Sequence, residues 1–345
     1  MANEVLKTLL KEYEQKRIRS EMELESRKER LYKEIPRLEE IEDELNSYAI
    51  KTAKSILSGG DYSLDELNKR VIKLKKEKEE ILSKAGLDAS CLKPRYECNI
   101  CKDTGYILDD NYNTIMCTCL RQKLLDISYN KSNMSNLNKE NFDTFNLNVF
   151  SNKVDVEKFK ANISPRKNME YIYKKCRAFV ENFDNPDYKN LLFTGNTGLG
   201  KTFMSNCIAN ELLKMGKTVL YQTAPVLLET IIDNKMAKNK KDSQKEFYKN
   251  VLECDLLIID DLGTECINSM KLSELFTILN TRLLNFNSKI TKTIISTNLG
   301  IDKIFNSYEE RIGSRIAGFY DILYFFGDDL RLKRRIGIPI RLYRY

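Results

Sequence analysis

The sequence predicts an α/β fold, a parallel sheet with flanking helices, preceded by an N-terminal helical hairpin and a small four-cysteine module. Three observations carry this reading: apolar stripes at helical spacing over the first ninety residues, a cysteine cluster near residue 100, and alternating strand and helix patterns from about Asn168 onward. They divide the chain into a helical hairpin or coiled-coil-like region over 1–88, a metal module over 89–128, a linker over 129–167 and a P-loop domain over 168–345.

The helical region comes first. Leu31, Ile35, Leu38, Ile41, Leu45 and Tyr48 recur at steps of three and four, so one face of a helix is apolar and the others are charged. Pro36 removes a backbone donor and kinks that helix or starts a new one. A second stripe runs through Leu64, Leu67, Val71, Leu74, Lys78 and Ile81 after the break Ser58-Gly59-Gly60-Asp61. Ser63 with Glu66 three residues on forms a capping box, and Gly86 suits the helix end. The pair reads equally well as a scaffold and as a partner-binding surface.

Cys98 and Cys101 make a C-x₂-C knuckle, and Cys117 with Cys119 close a second half after a short hairpin-like segment. Four thiolates enclose a tetrahedral Zn²⁺, with Cys91 near enough to replace one of them. The 345 residues contain no histidine, so histidine catalysis and histidine metal ligands are excluded. Cys176, Cys207, Cys254 and Cys266 lie in apolar contexts and read as core. The stretch 129–171 is rich in Asn, Ser and Lys and reads as a linker.

Strands are expected at Asn190–Thr194, Thr218–Gln222, Leu256–Asp260, Thr293–Thr297 and Leu323–Phe326. Directly after the first of them, Gly195-Asn196-Thr197-Gly198-Leu199-Gly200-Lys201-Thr202 fits the P-loop pattern, with Phe203 continuing into a helix. Its glycines let successive N–H groups turn inward onto phosphate, and the helix adds its positive end. Lys201 is expected on the β- and γ-phosphates of ATP, and the Thr202 hydroxyl on Mg²⁺. The apolar run Leu256–Ile259 ends in Asp260 and Asp261, the first expected to hold Mg²⁺ through its water shell and the second to act as general base on the attacking water. Asn298, at the end of the next strand, is suited to orienting that water.

Four further elements carry a family resemblance: Asp260-Asp261-Leu262-Gly263-Thr264-Glu265, Ser296-Thr297-Asn298, Glu310-Arg311-Ile312-Gly313-Ser314-Arg315-Ile316 and Phe326-Gly327-Asp328-Asp329-Leu330-Arg331. Over roughly residues 90 to 332 the chain resembles the DnaC and DnaI bacterial helicase loaders, within the AAA+ group shared with IstB transposition helpers. The resemblance implies an AAA+ ATPase acting as an oligomer. It implies that Arg315, or its neighbour Arg311, reaches a neighbouring subunit's nucleotide as an arginine finger, and that Arg331 contacts nucleotide within its own subunit. It further implies single-stranded DNA binding through a helical insertion at Leu227–Tyr248, where Lys235, Lys238, Lys240, Lys241 and Lys245 offer phosphate contacts. The N-terminal part is expected to engage a DnaB-type replicative helicase; an IstB-type helper of a DNA transposase is the rival reading. The absence of histidine departs from the DnaI arrangement of metal ligands.

Charge and composition agree with these readings. The formal net charge is +7, with 42% hydrophobic and 31% charged residues. Positive charge concentrates in Lys235–Lys245 and in Arg331–Tyr345, where six basic residues stand with no acidic one. No apolar run approaches the roughly 20 residues that span a bilayer, and Met1–Leu10 lacks the apolar stretch of a signal peptide, so a cytoplasmic protein without membrane association is expected.

Overall fold

The computed structural model describes residues 2–58, 64–127, 137, 139–237, 242–284 and 289–335. The chain forms two compact units, residues 1–117 and 118–345.

In the first unit, α1 (Ala2–Glu34), α2 (Pro36–Ser58) and α3 (Leu64–Lys84) are followed by a two-stranded antiparallel ribbon of β1 (Tyr106–Leu108) and β2 (Thr114–Met116). Three helices stand where the sequence pattern suggests a hairpin of two. Pro36 is the first residue of α2, where its missing N–H is not needed, so it starts a helix rather than kinking one. Leu38 and Ile41 of α2 and Leu74 of α3 are buried, as the two stripes require, while Leu82 is buried next to the half-buried stripe position Ile81, and Leu9, Tyr13 and Leu24 bury one face of α1. The stripe position Lys78 is used for an ion pair with Glu42, and Arg37 bonds Glu77 at 2.8 Å, so charges zip the rim of the α2–α3 contact. The Ser58–Asp61 break and the Ser63 cap lie outside the described residues, in whole or in part. Gly86 closes α3 with a φ of +69°, as expected of a helix-ending glycine.

The second unit holds α4 (Thr118–Leu125), α5 (Val156–Phe159), α6 (Pro165–Glu181), β3 (Asn190–Thr194), α7 (Lys201–Lys214), β4 (Val219–Thr223), α8 (Ala224–Met236), α9 (Asp242–Glu253), β5 (Leu256–Leu262), α10 (Ser269–Leu284), β6 (Lys292–Thr297), α11 (Ile301–Ser307), α12 (Glu310–Phe319), β7 (Tyr320–Tyr324) and α13 (Leu330–Arg335). The five strands form one parallel sheet in the order β4-β5-β6-β3-β7. Alternate residues feed two cores. Leu191, Phe193, Tyr221 and Ile258 face the side covered by α6 and α7, while Leu192, Leu220, Leu257 and Ile259 face α8, α9, α10 and α12. This is the parallel sheet with flanking helices that the sequence predicts.

Two boundaries differ from the sequence reading. The last strand, expected at Leu323–Phe326, runs instead over Tyr320–Tyr324, pairing residue by residue with Asn190–Thr194. The polar Asp321 interrupts the apolar run in the sequence, but a strand on the sheet edge tolerates a half-exposed carboxylate. The expected linker is largely structured from residue 139 onward: Phe142 and Phe150 are buried in the core against α6 and α7. Their rings supply the apolar surface that the surrounding Asn, Ser and Lys residues conceal from a compositional reading.

A buried arginine ties the lower edge of the sheet together. Arg282 on α10 is 2% exposed and donates to the carbonyls of Val251, Cys254 and Lys292 at 2.9, 3.0 and 2.7 Å, and to the Thr293 hydroxyl at 3.0 Å. A planar five-donor group is the side chain able to serve that many acceptors at once.

Candidate functional site

The parallel topology brings the C-terminal ends of β3, β6 and β5 side by side, so the loop after each opens at the same rim of the sheet. The P-loop follows β3, Asn298 follows β6, and the two aspartates close β5.

The loop takes the conformations its glycines permit: φ is +142° at Gly195, +75° at Gly198 and +93° at Gly200, and Gly200 caps α7. Lys201 is 7% exposed, and its Nζ donates to the carbonyls of Gly195 and Asn196 at 2.7 and 2.8 Å. Burial pushes its pKa down, against the opposing pull of Asp261 and Asp260. The ammonium is thus held on the loop's own carbonyls.

Asp260 is buried at the centre of a donor network. Its Oδ2 accepts from the Tyr221 hydroxyl at 2.6 Å and the Thr202 hydroxyl at 3.1 Å. Its Oδ1 accepts from the Ser296 hydroxyl and from the Asp261 N–H at 3.0 Å. The carboxylate is therefore fixed in orientation and directly hydrogen-bonded to the P-loop threonine. The β5–β6 register shifts between Ile259 and Leu262, and Asp261 at this bulge has a φ of +54°. The bulge turns Asp261 out of the strand and into the pocket. Desolvation and then the Asp260 charge raise the Asp261 pKa, while Lys201 and Arg331 pull it down.

The pocket has a volume of about 330 Å³ and is lined by Thr197–Phe203, Asp261 and Arg331 together with Phe145, Val149 and Phe150. The expected nucleotide-site residues Thr197, Gly198, Leu199, Gly200, Lys201, Thr202 and Phe203 thus line one cavity. Arg331 is brought there by the segment after β7, which clasps the P-loop. The Phe325 N–H donates to the Thr194 carbonyl at 2.7 Å, and the Leu330 N–H to the Gly198 carbonyl at 3.0 Å. Asn298 is exposed at the tip of β6 and is not among the pocket-lining residues. Arg315 also lies outside the pocket: its Nε donates to Asn280 Oδ1 at 2.9 Å, and its guanidinium stands 4.3 Å from the centre of the Phe276 ring, which Arg311 approaches to 4.5 Å.

Sequence reasoning misses two groups. Tyr221 reads as an ordinary strand residue, yet its hydroxyl reaches Asp260 across the β4–β5 pairing. The wall formed by Phe145, Val149 and Phe150 lies in the segment that reads as linker; the spacing of Phe142, Phe145 and Phe150 is the available signal. Of the lysines expected to meet DNA, Lys238, Lys240 and Lys241 lie outside the described residues. Lys235 is engaged by Glu274 at 2.5 Å and by the Tyr248 ring, and Lys245 is exposed. The basic run after Arg335 is likewise outside the described residues.

The four cysteines Cys98, Cys101, Cys117 and Cys119 converge, with their Sγ atoms all within 4.8 Å of one another. The Cys98–Cys117 separation of 3.9 Å matches the roughly 3.8 Å edge of a tetrahedron with ~2.3 Å Zn–S bonds and is far beyond a disulfide. The knuckle geometry also fits: Lys102, Asp103 and Gly105 all have positive φ, and the Gly105 N–H donates to Cys101 Sγ at 3.4 Å. Asp103 accepts from the N–H groups of Glu97 and Cys98, bracing the turn. Cys91, weighed as a replacement ligand, is outside this group; its carbonyl accepts from Arg27 of α1. Cys176, Cys207 and Cys254 are buried as expected, whereas Cys266, also expected in the core, is exposed, because it follows the turn after β5 instead of entering a helix.

Comparison with known proteins adds the following. The family described as "Bacterial DnaA ATPAse domain" matches residues 157–319. The replicative helicase loader DnaC of Escherichia coli (strain K12) is 33% identical over 91 residues, 26% of this chain and 36% of that protein. The chromosomal replication initiator protein DnaA of Campylobacter jejuni is 30% identical over 152 residues, 43% of this chain and 32% of that protein. The chain thus spans about a third of the length of the curated relatives it matches. The crystal structure of the DnaC helicase loader aligns with a TM-score of 0.44 at 23% identity, covering 56% of this chain and 99% of that one. Residues 157–319 thus resemble a DnaA-type ATPase domain, and part of the chain is similar to the DnaC helicase loader. Among the described residues no helix is long and apolar enough to cross a membrane.

Proposed function

We propose that this DnaC-like AAA+ protein binds and hydrolyses ATP with Mg²⁺ in the cytoplasm and uses the cycle to load a DnaB-type replicative helicase onto single-stranded DNA. The observation that carries the ATPase reading is the convergence of Thr202 and Asp261 on one cavity, with the buried Asp260 hydrogen-bonded to Thr202. Gly195–Thr202 cradles the phosphates, Lys201 leaves the loop carbonyls for the β- and γ-phosphates, and Thr202 and Asp260 hold the magnesium. Asp261 takes the proton of the attacking water, Asn298 orients that water, and Arg331 contacts the phosphates from the same subunit. Arg315, held away from its own pocket, serves the neighbouring subunit's nucleotide, so the active form is an oligomer. The similarity to a replicative helicase loader supports the choice of partner. In the full chain, the expected result is capture of the host's DnaB-type helicase in a pull-down, and ATP-dependent binding of single-stranded DNA that weakens steeply with salt. Capture of a transposase in place of the helicase would move the assignment to the IstB-type helper.

Bound to Cys98, Cys101, Cys117 and Cys119, zinc supplies structural cross-linking of the module and no step of the reaction. Purified protein should contain about one zinc per chain by metal analysis, and Cys98→Ser with Cys101→Ser should lose it together with order in the β1–β2 ribbon. Metal-free wild-type protein prepared without chelator would contradict this.

A further inference from the structure

Besides Asp261, the pocket lining contains one carboxylate, Glu140. Its Oε2 accepts from Asn206 Nδ2 on α7 at 2.6 Å. One turn further along, Asn210 Nδ2 donates to the Leu137 carbonyl at 3.1 Å. Both amides donate toward Glu140 and Leu137, while their carbonyl oxygens, Asn206 Oδ1 and Asn210 Oδ1, are buried without a partner among the described residues. Leaving buried acceptors unpaired is costly, and turning either amide over would set oxygen against oxygen. The cost is accepted at both positions, and at Asn206 it keeps Glu140 pointing where it does.

Asn206 stands four residues, about one helical turn, beyond Thr202. Glu140 therefore borders the part of the cavity one helical turn beyond Thr202, which also contains Phe145 and Phe203, whose rings lie 5.9 Å apart. A carboxylate repels a polyphosphate and offers acceptors only, so what it can recognise in a nucleotide is a donor on the nucleoside. One lone pair goes to Asn206, and others remain. We propose that Glu140 is a specificity-determining residue that accepts a hydrogen bond from the nucleoside, either from the exocyclic amine of adenine or from the ribose 2′-hydroxyl, with Asn206 as its positioning residue. The inference deepens the ATPase reading and rests on it.

Calorimetric titration of the full chain with ATP, inosine triphosphate and 2′-deoxy-ATP in Mg²⁺ tests it. Inosine triphosphate lacks the amine, and 2′-deoxy-ATP lacks one hydroxyl. Wild type is expected to prefer ATP over one of the two analogues by about tenfold, the scale of a hydrogen bond to a charged acceptor. Glu140→Ala should abolish that preference and Glu140→Gln, which keeps shape and one acceptor, should reduce it to about threefold. The analogue whose disadvantage disappears identifies the donor. Equal affinity of wild type for all three, or a preference unchanged in Glu140→Gln, overturns the inference; the Gln variant decides if the Ala variant does not fold. Wild type that binds ATP with unaltered ratios in the variants removes this inference alone, whereas wild type that binds no ATP removes the ATPase reading with it.

Discussion

Arg315→Ala should lower ATP turnover by about 10³-fold or more while leaving ATP affinity nearly unchanged, because an arginine supplied in trans acts on transition-state charge. The side chain is already ordered for such a role without touching its own nucleotide pocket. Asn280 holds its Nε at 2.9 Å, and Phe276 lies under its guanidinium. A finger pre-positioned in this way loses little entropy on docking against a neighbour. Mixing Arg315→Ala chains with Lys201→Ala chains should then restore part of the activity, since each retains the half-site the other lacks. If mixed oligomers are demonstrated by native mass spectrometry and turnover stays at the level of the single variants, Arg315 is not the finger, and the same mixture with Arg311→Ala becomes the deciding experiment.

For Asp261→Asn the expectation is a loss of roughly 10² to 10⁴ in kcat, the range for removal of a general base, with ATP binding retained. Lys201→Ala should show the opposite pattern, weakening binding itself. The pH profile adds a sign. Desolvation and the neighbouring Asp260 charge raise the Asp261 pKa, so the base becomes protonated, and the rate falls, at a higher pH than for an exposed aspartate. A raised carboxylate pKa in the folded state also means that ionised Asp261 costs stability above its unfolded pKa. An asparagine side chain carries no charge and tolerates the positive φ of this position, so the Asp261→Asn variant should melt at a higher temperature than wild type near neutral pH. Wild-type turnover by that variant would sink the general-base assignment.

Much of the ATPase core is legible in the sequence because its signals are local. Strand β3 matches its expected limits, and β4, β5 and β6 lie within two residues of theirs, since buried parallel strands are written as short uninterrupted apolar runs. Thr202 and Asp260 are expected to share one ion, and the structure joins them by a 3.1 Å hydrogen bond. What escapes depends on the third dimension. Tyr221 meets Asp260 only through strand pairing, and Glu140 meets Asn206 across 66 residues of chain, neither of which has a one-dimensional signature. The expected β7 starts three residues late because apolarity marks Leu323–Phe326, whereas hydrogen bonding to β3 begins at Tyr320. In the helical region the stripes locate α2 and α3 but pass over α1, where buried Leu9, Tyr13 and Leu24 are spaced among many charges.

Gly198 is expected from the sequence because its backbone must turn, but a second demand on it comes from the far end of the domain. A Cβ built there would fall 1.9 Å from Asp329 Oδ1, inside the carboxylate that also accepts from the Arg331 N–H at 2.8 Å. Even the smallest side chain at 198 therefore displaces Asp329, and with it the local bond that sets the start of α13 and the backbone of Arg331. Position 198 is therefore coupled to the far end of the domain: loss of the glycine would act through Asp329 on the backbone of Arg331.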